Sequence, residues 1–390
     1  MEDWRNGGFG VYVHWPFCQS KCPYCDFNSH VAQRIDQSRW AAAYLAEIDR
    51  VSVMTEGRVV NSVFFGGGTP SLMDPAVVLT VIDRIKDRWA VANDLEITLE
   101  ANPSSVEADR FKAYADAGVN RVSLGIQALN DGDLGRLGRL HSADEARRSI
   151  AVAQSTFARV SIDLIYARQD QSIQAWDAEL QEAIGLGTDH LSLYQLTIED
   201  GTAFGRLHKK KRLLGLPMDD QAADMFEVTR ERCRAAGLAA YEVSNHAKVG
   251  EESRHNLIYW RMGDYIGIGP GAHGRLTFLG KRFASVAERL PDAWLNCVEG
   301  GVPAEARPQI LSREEQATEY LLMSLRLAEG ASLSRYSGIA GEPLRPDGQE
   351  EMISLGFLSR DNDRIKTTEK GVLVLDGVLR SLLADRQSAS

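Results

Sequence analysis

Phe17-Cys18-Gln19-Ser20-Lys21-Cys22-Pro23-Tyr24-Cys25-Asp26-Phe27 sets three cysteines in a CxxxCxxC spacing on one short stretch of chain. Thiolates so placed can hold three corners of a cubane iron–sulfur cluster and leave its fourth iron open to a ligand from outside the protein. Structural zinc is a rival reading; it wants four tetrahedral donors, so His14 or His30 would have to complete the set. A disulfide within the triplet is the third reading.

The surrounding composition narrows the setting. With 390 residues, 44% hydrophobic and 25% charged, the chain is an ordinary globular protein, long enough for a barrel-sized domain and a smaller one. Five cysteines, three of them in one stretch, suit a reducing cytosol and a cytoplasmic location, with the isolated Cys233 and Cys297 as core residues. A net charge of −10 argues against broad nucleic-acid binding, which needs a basic face. The short run Lys209-Lys210-Lys211-Arg212 reads as a solvated loop. Met1 to Gly10 shows neither a secretory signal nor a mitochondrial presequence, and no apolar run approaches bilayer length.

Periodicity then supplies an architecture. Short β-branched or aromatic runs at Val11–His14, Ser62–Phe65, Leu95–Glu100, Arg121–Ile126, Val160–Ile165 and His190–Leu196 predict strands. Amphipathic stretches between them predict helices over Arg39–Val51, Pro75–Trp89, Val106–Ala117, Ala143–Gln154 and Ile173–Leu186. Asp74-Pro75 opens the second helix with a cap and a proline at its first position, and Gly118 follows the third. Six strand–helix units predict a parallel, right-handed α/β array, two short of a closed eight-stranded barrel.

Unusual polar residues gather at one rim of that array, the carboxyl ends of its strands, where chemistry collects in such folds. The cysteine stretch follows the first strand, Gly66-Gly67-Gly68-Thr69-Pro70 the second, and Glu100-Ala101-Asn102-Pro103 ends the third. Gln127 ends the fourth, Asp163 lies in the fifth and Tyr194-Gln195 in the sixth. Six such coincidences point to one shared site. Glycines let backbone amides come close to a small charged ligand, or simply form a tight turn. Glu100 can accept from ribose hydroxyls or serve as a capping acid. Gln127, Arg139 and Asp163 can bond a ligand's polar groups, or Arg139 and Asp163 can pair with each other.

Taken together, the motifs resemble the HemN/HemW branch of the radical S-adenosylmethionine (SAM) superfamily. The matching stretches are Tyr12-Val13-His14-Trp15-Pro16-Phe17-Cys18, Gly66 to Pro70, Leu137-Gly138-Arg139-Leu140-His141, Asp163-Leu164-Ile165-Tyr166, Tyr241-Glu242-Val243-Ser244-Asn245 and Gly267-Ile268-Gly269-Pro270-Gly271-Ala272-His273. The resemblance covers nearly the whole length. It implies a [4Fe–4S] cluster on Cys18, Cys22 and Cys25, with the amino and carboxylate groups of SAM on the open iron. It also implies that Tyr12, Tyr24, Gly67, Gly68, Thr69, Glu100, Gln127, Arg139, Asp163 and His273 line the SAM region. The fold implied is α/β: a partial (β/α)6 barrel over 1–240, a connecting segment over 241–305, and a smaller C-terminal helical and winged domain over 306–390. Glu315–Arg326 and Leu373–Leu383 are helix candidates for that domain and Ile365–Thr367 a short strand.

Two activities compete within the branch. Its coproporphyrinogen III dehydrogenases carry a further cysteine two residues beyond the triad and a long amino-terminal arm; here that position is Phe27, and only a short segment precedes Cys18. Its heme chaperones read Cys-Pro-Tyr-Cys-Asp-Phe-Asn-Ser, as Cys22 to Ser29 do, and carry His-Asn-x-x-Tyr-Trp, present as His255-Asn256-Leu257-Ile258-Tyr259-Trp260. An imidazole can ligate heme iron while neighbouring aromatics pack the porphyrin, so His255 is the heme candidate. The chain is therefore expected to bind cluster, SAM and heme, and to hand heme to an acceptor such as a membrane-bound respiratory hemoprotein rather than to act as an enzyme. A radical oxidoreductase acting on a tetrapyrrole is the alternative. Two departures stand out: Ala167-Arg168-Gln169-Asp170-Gln171 replaces the usual Gly-Leu-Pro-Gly-Gln, and His246, expected at the surface, stands where an aromatic is common.

Overall fold

The computed structural model describes residues 2–383. Six parallel strands form as the periodicity predicts: β1 (Phe9–Trp15), β2 (Val59–Gly67), β3 (Ala90–Ala101), β4 (Arg121–Gln127), β5 (Arg159–Tyr166) and β6 (His190–Gln195). They pair in sequence order, each with the next. Six of the seven residues of β1 are buried, Trp15 against Trp40 and Tyr44 of the first crossover helix on one face and Gly10 close to Ile258 and His255 on the other. That helix, α1 (Gln37–Met54), buries Trp40, Tyr44, Ile48 and Val51 against the sheet.

The sheet is larger than the six units. Residues 241–305, expected as a connecting segment, supply strands at both of its sides. On one side β7 (Asn245–Ala247) runs antiparallel to β6. On the other, β8 (Asp264–Ile268) pairs parallel with β1 over five residues and leads into the hairpin of β9 (His273–Phe278) and β10 (Lys281–Val286). His246 is corrected by this placement: it lies inside β7 with 1% exposure, and neither ring nitrogen has a hydrogen-bond partner. A strand of three residues is too short to show its alternation in sequence.

A buried carboxylate anchors the added strand. Asp264 has no exposed surface; it accepts from Arg58 Nη1 at 2.7 Å, Arg282 Nη1 at 2.9 Å and Thr277 Oγ1 at 3.0 Å. One side chain thereby ties β8, both strands of the hairpin and the segment after α1.

The departure at 167–171 alters side chains and keeps a glycine-like path. Ala167 and Asp170 both adopt φ of 57°, the left-handed region that glycine would enter freely. Arg168, almost wholly buried, holds this path: it donates to the Ile165 carbonyl at 2.7 Å and pairs with Asp133 at 2.8 Å and with Glu179.

The helix expected over Val106–Ala117 is broken into Ser105–Ala108 and Phe111–Asp116. At the break, Arg110 donates to the Ser71 carbonyl, and Glu107 accepts from the Asn102 amide and Ser71 Oγ. The two fragments follow these long-range bonds in place of one continuous ladder. Beyond residue 310, helices Arg313–Ser324, Leu333–Ala340, Pro346–Ser354 and Leu375–Leu383 pack with the hairpin Leu358–Asp361 and Arg364–Thr367 around a separate core of Tyr320, Tyr336, Ile365 and Val378. Among the described residues no helix is long and apolar enough to cross a membrane.

Asp264→Asn is expected to lower unfolding stability by ~3–5 kcal/mol, because it removes the counter-charge of buried Arg58 and leaves buried Arg282 only the more distant Glu319, at 3.6 Å. Asp116→Asn, which removes only the exposed pair with Lys112, is the control and should leave the urea midpoint unchanged. Equal midpoints for the two variants would remove Asp264 as the anchor.

Candidate metal and cofactor site

The cysteine stretch leaves β1 as an irregular loop and is held on three sides. The amides of Gly68 and Thr69 donate to the carbonyls of Trp15 and Phe17 at 2.7 and 2.8 Å. Gly68 is tight against this loop, since a Cβ there would stand 2.6 Å from the Phe17 oxygen. Gly67, at φ of 112°, would put a Cβ 2.6 Å from the His14 ring and donates instead to Glu100 Oε2 at 3.2 Å. The glycine run thus uses these amides within the protein, to hold the cysteine loop and to orient Glu100, and does not leave them for a ligand.

On the second side, Asn28 Nδ2 donates to the carbonyls of Pro270 and Arg289 at 2.9 and 2.8 Å, so the turn between β8 and β9 closes on the loop. On the third, the Phe204 amide donates to the Pro23 carbonyl at 2.8 Å and Tyr24 packs near the Phe204 ring.

These contacts shape a cavity of about 180 Å³ lined by Cys18, Cys22 and Cys25 together with Tyr24, Gly67, Gly68, Thr69, Glu100, Gln127, Arg139 and Asp163. All five cysteines are free thiols, and Cys18 is buried while Cys22 and Cys25 are half-buried. Thr69 Oγ1 donates to Cys18 Sγ at 3.5 Å, and Arg139 Nη1 donates to Cys22 Sγ at 3.4 Å. Burial pushes the Cys18 and Cys25 thiols up from their usual range, so a bound cation is what would favour their thiolates. Among the described residues no three Cys, His, Asp or Glu side chains converge as a single-ion site would require. His14, one of two candidates to complete a zinc site, has both nitrogens engaged, at 3.0 Å from Tyr12 Oη and 2.9 Å from the Asn28 carbonyl.

Arg139 does not pair with Asp163. Its Nη2 donates to Asn102 Oδ1 at 2.6 Å and to the Gly125 carbonyl at 2.8 Å, and its buried Nε has no partner, a donor fit for a ligand oxygen. Asp163 accepts from Ser123 Oγ at 3.1 Å, and burial raises its carboxyl above the usual range. Burial, then the nearby Asp163, pushes Glu100 up to about 8, while the Gly67 amide pulls the other way. Two acids line one cavity with an incompletely satisfied guanidinium nearby. Such a set suits a ligand carrying both a cation and a carboxylate.

Three expected residues stand outside this cavity lining. Tyr12 stacks on Phe64 and on the His255 ring inside the sheet. His273 begins β9 on the exposed side of the clamp turn. His255 lies apart from the cysteine cavity: its imidazole is buried, 1% exposed, and stacked on Phe64 with centroids 4.9 Å apart. Its Nδ1 lies 2.7 Å from Ser62 Oγ and its Nε2 2.7 Å from Tyr259 Oη, so neither nitrogen is free. Burial pushes this imidazole down to about 3. Glu107 and Ser123 line the cavity without having been singled out in the sequence. Glu107 sits two residues into a helix start, where an acid reads as an end-of-helix charge, and a serine inside a strand carries no signal.

Comparisons with known proteins place the chain in a family. Residues 12–187 match the radical SAM superfamily and residues 311–374 the HemN C-terminal domain. The chain is 39% identical to a protein of Escherichia coli (strain K12) named heme chaperone HemW, over 96% of this chain and 98% of that one. It is 36% identical to the heme chaperone HemW of Mycobacterium tuberculosis H37Rv, over 96% and 95%. It is 37% identical to the mouse radical S-adenosyl methionine domain-containing protein 1, mitochondrial, over 97% and 88%. Among solved structures, coproporphyrinogen III oxidase (HemN) from Escherichia coli, a radical SAM enzyme, superposes with a TM-score of 0.80 at 20% identity, covering 97% of this chain and 92% of that one, a likeness of fold.

Two outcomes follow from the site's electrostatics and packing. Because Glu100 titrates near 8 when folded and at about 4.3 when unfolded, its contribution is full below the lower value and is lost as pH rises through the upper one. Glu100→Gln should therefore match the ligand-free parent near pH 4 and exceed it in stability at pH 8.5; parallel pH profiles would refute the shift. His255→Ala should cost ~2–4 kcal/mol by thermal or urea unfolding, from a cavity and two stranded hydroxyls. An unchanged midpoint would show that the imidazole is not part of the packed interior.

Proposed function

Because the chain belongs to the HemW family of the radical SAM superfamily, we propose that it is a cytoplasmic heme chaperone that holds a [4Fe–4S] cluster and SAM, binds heme and passes it to an acceptor such as a membrane-bound respiratory hemoprotein. The supporting observation is end-to-end identity of 39% with a relative named heme chaperone HemW, with both the superfamily and the HemN C-terminal matches in one chain.

Within that reading Cys18, Cys22 and Cys25 are the cluster donors, and Arg139 Nη1 donates to Cys22 Sγ at 3.4 Å. A cluster with SAM bound supplies one-electron chemistry at its open iron. Tyr24, Gly67, Gly68, Thr69, Glu100, Gln127, Arg139 and Asp163 are the proposed SAM contacts, with the engaged amides of Gly67, Gly68 and Thr69 leaving those three to shape the wall: Glu100 for a cationic group or ribose hydroxyls, and Arg139 Nε for a carboxylate oxygen. Phe27, where the dehydrogenases of the branch carry a cysteine, is 60% exposed at the cavity mouth. An apolar ring at that position offers no ligand to a metal or to a polar substrate group.

Anaerobic reconstitution of the full chain is expected to give nearly equal iron and sulfide, and any single Cys18, Cys22 or Cys25→Ala change to impair the cluster. The same preparation should bind heme and yield no protoporphyrinogen from coproporphyrinogen III. Stoichiometric zinc without iron would overturn the cluster, and robust protoporphyrinogen formation would overturn the chaperone reading.

A further inference from the structure

The short helix Arg254–Trp260 carries the His-Asn-x-x-Tyr-Trp motif, and its last residue, Trp260, lines a cavity of about 700 Å³ together with Arg261, the residue that caps it. The rest of the wall comes largely from the C-terminal domain, through residues such as Arg313, Tyr320, Glu329, Arg335 and Arg364, with Asp3 from the amino-terminal turn. The volume falls within the range of small-molecule sites, roughly 300–1,000 Å³.

The charges around this cavity do not balance. It holds four guanidinium groups, of Arg261, Arg313, Arg335 and Arg364, against the two carboxylates of Asp3 and Glu329. Both carboxylates are taken: Glu329 pairs with Arg261 at 2.7 Å and Asp3 with Arg335 at 2.8 Å. Arg364 meets only the carbonyls of Glu329 and Gly330, both at 3.1 Å and both through Nη1. Arg313 makes no ion pair and no hydrogen bond among the described residues. Two positive charges are left over in one cavity of a chain whose net charge is −10. Trp260 adds an unused donor, since its buried Nε1 has no partner.

Folding does not account for this surplus. Arg313 opens the helix Arg313–Ser324, at the end where the backbone dipole is already positive and a cation is unfavourable. Two unpaired guanidinium groups around one cavity also repel each other. A ligand that brings two carboxylates removes both penalties, because each guanidinium fork matches a carboxylate with two parallel hydrogen bonds. Heme is such a ligand, with two propionates on one edge of an apolar macrocycle. Trp260 is set in place for the boundary between the two parts: the Arg326 guanidinium stands 4.6 Å from its ring centroid, and the indole offers an apolar body with a polar tip.

We propose that this cavity receives the carboxylate edge of heme, one propionate on Arg313 and the other on Arg364, with the macrocycle passing across Trp260 onto the motif helix. The inference rests on the heme-chaperone reading above, and it gives the C-terminal domain a part in heme recognition. Its test is titration of the full chain with heme and with heme dimethyl ester, whose propionates carry no charge, followed by absorption and tryptophan quenching.

Arg313→Gln and Arg364→Gln change exposed side chains, so both variants should fold. The parent is expected to bind heme about thirtyfold more tightly than the ester, and each variant to bind heme about fivefold more weakly than the parent with its ester affinity unchanged. The double variant should bind heme and ester alike. Arg307→Gln, which removes an exposed arginine outside this cavity, should keep the parent's preference and so exclude a general effect of net charge. If the parent binds heme and ester equally, or the double variant keeps the parent's preference, the propionate site is refuted while the chaperone reading stands. If the parent binds neither compound, both fail.

Discussion

The cysteine loop has no regular secondary structure of its own beyond two residues, Phe17 and Cys18, paired with His30 and Val31. Its position depends on two backbone hydrogen bonds from the end of β2, Gly68 to Trp15 and Thr69 to Phe17. A loop of this length left free would pay for ordering on binding a metal, at ~1–2 kcal/mol per residue. Tethered at its base, and closed by Asn28 on the turn after β8, it carries much of that order before any ligand arrives. Preorganisation explains why side chains from several strand ends meet in one cavity: the sheet fixes their spacing, and the tethers fix the loop relative to the sheet.

Much of this was legible because strong local signals coincide with global ones. The six strands, the cap at Asp74-Pro75 and the rim placement of Glu100, Gln127 and Asp163 all follow from periodicity and from where an α/β array directs its loops. Illegible parts depend on contacts distant in sequence. β8 is five residues long and becomes a strand by pairing with β1, some 255 positions earlier, and by burying Asp264 between two arginines. The glycine run illustrates a subtler limit. Its composition suggests amides waiting for a ligand, whereas the folded chain uses them on Trp15, Phe17 and Glu100.

His255 shows how the residues of one short motif can face different surroundings. His255, Tyr259 and Trp260 share one short helix, yet they face different surroundings. His255 and Tyr259 turn into the sheet beside Ser62, Phe64 and Tyr12, while Trp260 packs under the Arg326 guanidinium, 4.6 Å from its ring centroid, against the C-terminal domain. A neutral imidazole between a serine and a tyrosine can donate once and accept once, and here both capacities are used. The motif therefore joins the sheet to the C-terminal domain through packing and hydrogen bonds.

One ribbon connects the cysteine cavity with an apolar cavity of about 310 Å³ between the end of α1, β8 and the β9–β10 hairpin. β8, the turn at Gly269–Ala272 and β9 run continuously from the wall of the apolar cavity, at Ile266, past the clamp on Asn28, and back to that wall at Leu276 and Phe278. Within the turn, Gly269 and Gly271 hold φ of 114° and 74°, and a Cβ on either would stand within 2.5 Å of His14 or Asn28 atoms. The ribbon is thus close-packed against the cysteine loop at one end and forms a wall of the apolar cavity at the other. Close-packed interiors do not deform gradually. A displacement at the apolar wall would have to be taken up either by the exposed hairpin tip at Leu279 or by the clamp itself. Asp264, bonded to both strands of the hairpin and to Arg58, stiffens the path between them, so the tip is the element left to move.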